Sequence, residues 1–185
     1  MQRVKRSFDY KFDRRTITLT VLILLLCTAG AVLLYTLYTG GFFSAWFVSF
    51  VLALMALMIL SIPRRIVLLD NKVEIQCIFD ITEIDIAEIA QIQKVEKDTL
   101  RWTMLLFGSS GFFGYYGKYL DLKQFEIVTI YTSEWDNFVE ITDIYDSRTI
   151  VSCREADNLI NTILQAKALC EEQDKEEEEK IYEAI

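Results

Sequence analysis

The hydrophobic and polar positions of this chain fall into two unlike regimes. From Thr16 through Ile62 no Asp, Glu, Lys or Arg interrupts the sequence, whereas charged residues occur at ordinary density on both sides. That stretch is about twice the roughly 20 residues with which a helix crosses the hydrocarbon core of a bilayer. The pattern predicts a transmembrane hairpin over residues 16–63, with helices at about 17–38 and 42–62, a turn at Thr39-Gly40-Gly41, and Pro63, the single proline, closing the second helix. Twelve Leu, Ile and Val residues in the first helix contribute on the order of −4 to −7 kcal/mol to insertion. Ala29-Gly30-Ala31 resembles a signal-peptidase site and Leu24 to Cys27 a lipoprotein cleavage box. The apolar run continues past both to Leu37, and Leu26 stands where a small residue is needed, so an uncleaved helix is the better reading.

After Arg65 the period shortens to that of strands. Ile66–Leu69, a turn at Asp70-Asn71-Lys72, and Val73–Phe79, in which Val73, Ile75 and Cys77 alternate with Glu74 and Gln76, predict a hairpin. Residues 81–97 read as a strand, a short turn at 86–89 and a second strand, and further strands are expected at Ile127–Tyr131, Phe138–Asp143 and Thr149–Ser152. Ser152 followed by Glu155 has the form of a capping box. Behind it Ala156, Leu159, Ile160, Ile163 and Leu164 share one face of a helix that must cover the sheet. Residues 64–170 therefore form the expected β-rich domain, with an acidic tail at 171–185 and a basic segment at 1–15.

Charge sets the topology. Arg3, Lys5, Arg6, Lys11, Arg14 and Arg15 precede the first helix, Arg64 and Arg65 follow the second, and the turn between them has no basic residue, so both termini are expected on the cytoplasmic side. Tyr35, Tyr38, Phe42, Phe43 and Trp46 cluster around the turn at the level of the outer interface. Residues 66–185 hold 11 Lys and Arg against 25 Asp and Glu, a net charge of −14. Such a domain repels nucleic acid, and no nucleic-acid partner is expected. Cys27, Cys77, Cys153 and Cys170 stand apart and the chain has no histidine, so neither a metal nor a cofactor site is expected.

Four of the seven glycines recur every third residue, at Gly108, Gly111, Gly114 and Gly117, with Phe112-Phe113 and Tyr115-Tyr116 between them. Two readings of this stretch are open: a tight connection whose aromatics fill the domain's own core, or an exposed loop meeting a protein partner or the bilayer interface. With the strand Val128–Tyr131 and the strand Thr149–Val151 leading into the last helix, Leu105 to Tyr119 resembles the bacterial pleckstrin-homology-like (PH-like) domains that follow transmembrane helices. The resemblance covers about Ile66–Leu164. It implies a bent antiparallel sheet of about seven strands capped by the C-terminal helix, a bacterial inner-membrane setting, and no common enzymatic activity. Similar sequences often carry an arginine directly before the Phe-Gly, where this chain has Met104-Leu105-Leu106 and its nearest base is Arg101.

Catalytic motifs fail on inspection. A phosphate-binding loop ending at Gly117-Lys118 would need glycine at Phe112 and Ser or Thr at Tyr119, and no Gly-x-Ser-x-Gly occurs. Glu83, Asp85 and Glu88 fit the solvated side of a strand better than an acid/base set. In the second helix Ala45, Ser49 and Ala53 recur every fourth residue, a face expected to pack on the first helix or, failing that, on a second copy of the chain. The sequence thus points to a non-enzymatic, multi-pass, membrane-tethered module that presents a PH-like domain to a protein partner. The alternative is a bilayer-interface or lipid sensor that uses residues 108–117.

Overall fold

Leu- and Ile-rich runs free of charge form helices α1 (Arg14–Leu37) and α2 (Phe42–Leu60) in the computed structural model, which describes residues 6–37, 42–60 and 62–183. The turn expected at Thr39-Gly40-Gly41 lies outside these residues. In α1 the segment Arg14–Thr36 is long and apolar enough to cross a membrane, whereas the apolar segment Ala45–Leu57 of α2 is shorter. The helix around it, α2, has 19 residues and rises about 28 Å, against about 30 Å of hydrocarbon. By length and composition, then, the expected pair of spanning helices becomes one sufficient helix and a shorter companion.

Ten strands are present among the described residues, where about seven were expected. β1 (Arg6–Asp9), β2 (Pro63–Leu68), β3 (Lys72–Cys77) and β4 (Ile81–Asp85) form an antiparallel sheet in that order. A 3-10 turn at Ile86–Glu88 leads into β5 (Ile89–Val95), which resolves the ambiguous stretch as strand, turn and strand. After the short helix α3 (Lys97–Leu100) come β6 (Thr103–Ser110), β7 (Tyr115–Asp121), β8 (Glu126–Thr132), β9 (Phe138–Asp143) and β10 (Arg148–Ser152). They form a second sheet with β5, in the order β5-β9-β10-β8-β7-β6. This sheet is not wholly antiparallel, because β10 inserts between the sequence neighbours β8 and β9 and so runs parallel to β8.

β1 is an unforeseen element. The basic segment before α1 is not a free arm. Ser7, Phe8 and Asp9 pair with Val67, Ile66 and Arg65, and Phe8 enters the core. Arg6 also donates to Asn158 Oδ1 at 2.7 Å and to Thr162 Oγ1 at 2.9 Å on the last helix, α4 (Ala156–Glu183). Leu159, Ile163 and Ala166 of α4 close this core over Ile66, Val73, Ile86 and Ile141. The expected capping box is not made. Ser152 Oγ instead accepts the Ser133 N–H at 3.1 Å, and the first α4 backbone bond runs from Leu159 N–H to Glu155 O.

A second apolar cluster, including Leu100, Tyr119, Ile130, Phe138 and Ile150, lies on the other face of the six-stranded sheet, as strand alternation requires. Its neighbour is a charged group with little access to water. The Arg148 guanidinium lies 3.2 Å from Asp121 Oδ2 and 3.0 Å from Glu140 Oε2, and the three side chains are 11, 5 and 7% exposed. These carboxylates hold the Arg148 pKa above its ordinary value, the Glu140 hydrogen bond contributing most. Removing the cation strands two buried carboxylates. Arg148→Ala is expected to cost about 3–5 kcal/mol, read as a lower unfolding midpoint of the full chain. Asp121→Asn is expected to cost less, since Glu140 still pairs with the arginine.

Candidate functional site

The glycine-aromatic stretch is a hairpin, β6 and β7, whose strands approach too closely for ordinary side chains. Gly108 and Gly117 stand opposite one another in the register, at φ +133° and +116°. A Cβ on Gly108 would lie 2.0 Å from Tyr116 O, and one on Gly117 would lie 2.1 Å from Phe107 O. Two backbones therefore touch where both residues are glycine. The turn beyond is tied by the Gly111 N–H to Gly114 O at 2.9 Å, and by Ser109 Oγ, which donates to Phe112 O at 2.9 Å and accepts the Phe112 N–H at 3.2 Å.

This turn grips the start of α1. Thr20 Oγ1 accepts the Phe113 N–H at 2.9 Å and lies 3.3 Å from Gly111 O, while Thr16 Oγ1 donates to Ser133 O at 3.1 Å. Thr16 and Thr20 are both buried. At Gly111 a Cβ would meet only the movable end of Leu19, with Cδ1 2.7 Å away, and the φ of +102° is what favours glycine there. Four and three residues before α1, Tyr10 donates through its hydroxyl to Tyr131 O and Lys11 O accepts from Ser133 Oγ, both at 2.9 Å.

The aromatics of the hairpin consequently face inward. Phe112, Tyr115 and Tyr116 are 4, 5 and 2% exposed. Gly111 and Gly114 are buried, and Gly108, Gly117 and Phe113 are half-buried. Of the two readings open for Gly108–Gly117, this burial agrees with the tight connection and not with the exposed contact loop, and the surface the turn meets is α1 of the same chain. Phe113, at φ +54°, rests edge-on against Phe112 and Phe12. In α2 the small residues Ala45, Ser49 and Ala53 are exposed, and the side turned to α1 carries Phe47, Val48, Val51 and Met55 instead. Packing of that stripe on the first helix is thus corrected. These larger side chains line an open apolar cleft of about 370 Å³ shared with Cys27, Gly30 and Ala31 of α1, where a Cβ added at Gly30 would meet nothing within 4 Å.

The surface that sequence reasoning missed is the free edge of the six-stranded sheet. β6 is its last strand and pairs with β7 alone. Met104, Leu105, Leu106 and Phe107 are 49, 37, 48 and 81% exposed, and Trp102 just ahead is 56% exposed. The bulge between Leu105 and Phe107 is the only device on this edge that usually discourages pairing, for it has neither proline nor charge. The run Trp-Thr-Met-Leu-Leu-Phe was visible in the sequence. Its strand character was hidden by the glycines that follow it.

Acids on β4 behave as a solvated face: Glu83 is exposed and pairs with Lys72 at 2.6 Å. Among the described residues no group of three His, Cys, Asp or Glu side chains is placed to hold a metal ion. Burial pushes the Cys77 thiol up to about 11 and the Tyr116 hydroxyl up to about 12.

A mainly β domain closed by a C-terminal helix fits the PH-like fold. The chain belongs to the bacterial PH domain family, whose model matches residues 64–167, more than half of its length. The match runs from the start of β2 into α4 and leaves out β1, α1 and α2. Neither a curated protein nor a solved structure matches it.

Thr20→Val leaves the Phe113 N–H without its acceptor and is expected to cost about 1–2 kcal/mol, with faster hydrogen exchange at the Phe113 amide as the local readout. Alkaline pH acts on the buried acids with a definite sign. Unfolded Cys and Tyr release protons from their ordinary values of 9.0 and 10.0, below the folded values of about 11 and about 12. The stabilisation is whole below pH 9 and is lost as pH rises through the folded values. The melting temperature should therefore fall between pH 9 and 11, and Tyr116→Phe should flatten the upper part of that fall.

Proposed function

We propose that this chain is a non-enzymatic, membrane-tethered binding module. Residues 16–63 form a hairpin in the bacterial inner membrane, both termini lie on the cytoplasmic side, and the domain at 64–170, completed by β1, receives a protein partner on the edge of β6. The exposed apolar edge of β6 carries this reading. An unpaired strand offers a row of backbone donors and acceptors that suits one more extended segment. Met104, Leu105, Leu106 and Phe107 supply apolar area against which such a segment gains specificity. The supporting observations for the tether are the length and apolar composition of α1 and the cations at the domain ends of both helices. The acidic stretch from Glu171 is the outer part of α4 and keeps the domain soluble beside the membrane.

The test is photo-crosslinking in cells from position Phe107, with Tyr145, 71% exposed on the turn before β10, as the control. A discrete protein adduct at Phe107 and none at Tyr145 is expected, with Leu105→Lys lowering its recovery at least about tenfold. Lipid adducts alone at Phe107 would transfer the edge to the bilayer and favour an interface sensor.

A further inference from the structure

The two helices meet the domain at the same end, and between them lies a cleft with two kinds of wall. Its volume is about 470 Å³. Phe12 on the approach to α1, Ile59 of α2, Ile78 on the β3–β4 turn and Phe113 of the hairpin make the apolar wall, and Arg64 and Arg65 of β2 make the basic one. The geometry is held by backbone bonds, since the Ile78 and Phe79 N–H groups donate to Ile62 O and Leu60 O, each at 3.0 Å. These bonds fix the β3–β4 turn against the end of α2, where Phe79 projects with 83% of its surface exposed.

Both arginines are exposed, and among the described residues neither lies within ion-pair distance of a carboxylate. Asp9 also borders the cleft, opposite Arg65 in the strand register, and leaves the lining one positive charge in excess. Exposed Lys11, Arg14 and Arg15 add to the same end of the helices. We propose that this cleft binds the headgroup of one anionic phospholipid from the leaflet that faces the domain. In this arrangement Arg64 and Arg65 hold the phosphate, and Ile59 and Ile78 meet the first carbons of the acyl chains.

Charge and position together select a lipid as the occupant. A dissolved anion would use the arginines and leave four apolar side chains in water. An acidic peptide would have to reach a cleft at the foot of two apolar helices. A phospholipid presents both chemistries in the right order along its length, and its phosphate lies where basic residues flanking a membrane helix normally sit. The site rests on the membrane-tethered reading and goes beyond it, for it makes the lipid a fixed part of how the domain is oriented.

The experiment uses the full chain in nanodiscs of phosphatidylcholine containing a minor fraction of phosphatidylglycerol, followed by native mass spectrometry of the lipids retained on release. Wild type is expected to keep one phosphatidylglycerol in preference to phosphatidylcholine. Arg64→Gln/Arg65→Gln should reduce that preference on the order of 30-fold, from roughly fivefold per arginine near a membrane surface. Lys97→Gln, distant in the fold and paired with Asp136, should leave it unchanged, and both variants should keep the wild-type melting temperature. Equal retention of the two lipids by wild type, or an unchanged preference in the double variant, overturns the proposal. Displacement of the bound lipid by millimolar inorganic phosphate would also overturn it, in favour of a plain anion site. Failure of the tether itself reads differently, as a chain that carbonate strips from membranes.

Discussion

Pairing of Arg6–Asp9 with Arg65–Leu68 is the constraint on which the rest of this structure depends. The chain enters the sheet, leaves it through two apolar helices, and returns to lie beside the strand it left. Closing so long an excursion costs conformational entropy that grows only slowly with its length. The return is fixed by ladder bonds, by Phe8 in the core and by Arg6 on Asn158 and Thr162 of α4. Once both helix ends are pinned to neighbouring strands, α1 and α2 have to run side by side, and the domain cannot swing freely on a linker.

The glycines become intelligible in that setting. Side chains at Gly108 or Gly117 would force the two strands of the hairpin apart, and one at Gly111 would press on Leu19 of the helix that the hairpin grips. Thr16 and Thr20 complete the grip from the other side, with hydroxyls that satisfy backbone groups of the domain while staying compatible with helix. The aromatics between the glycines then have only the interior to occupy. Spacing of three thus reports close approach of backbones, and the resulting apolar density serves cohesion between anchor and domain.

Much of this was legible from residue patterns. The charge-free run, the 81–95 strand pair and the apolar face Ala156, Leu159 and Ile163 each carry a local period strong enough to survive tertiary context. What escaped has a common cause. β1 is only four residues long and gains its strand state from β2 across the whole apolar region, so no local pattern marks it. The Ser152 cap was lost because Ser133, distant in sequence, competes for the same hydroxyl. Exposure of Met104 to Phe107 was invisible for a similar reason, while burial of Tyr115 and Tyr116 was one of the two readings the residues left open. Both strands of one hairpin carry apolar runs, and their rank in the sheet, edge for β6 and interior for β7, goes with which one is covered.

The leftover apolar surface is distributed in a way that constrains function more than the fold does. β6 ends at Ser110, next to the turn that holds α1, and its eight residues extend roughly 26 Å away from that point at about 3.3 Å per residue. An edge of this length and composition on a freely diffusing domain would invite indiscriminate pairing. In the proposed tethered arrangement the same edge would meet only what reaches it along the membrane face, and the net charge of −14 over residues 66–185 would add a like-charge repulsion between domains. In the proposed module, tether, charge and edge would act together: the anchor would limit which molecules arrive, and the unpaired strand would be left for an extended segment of a partner.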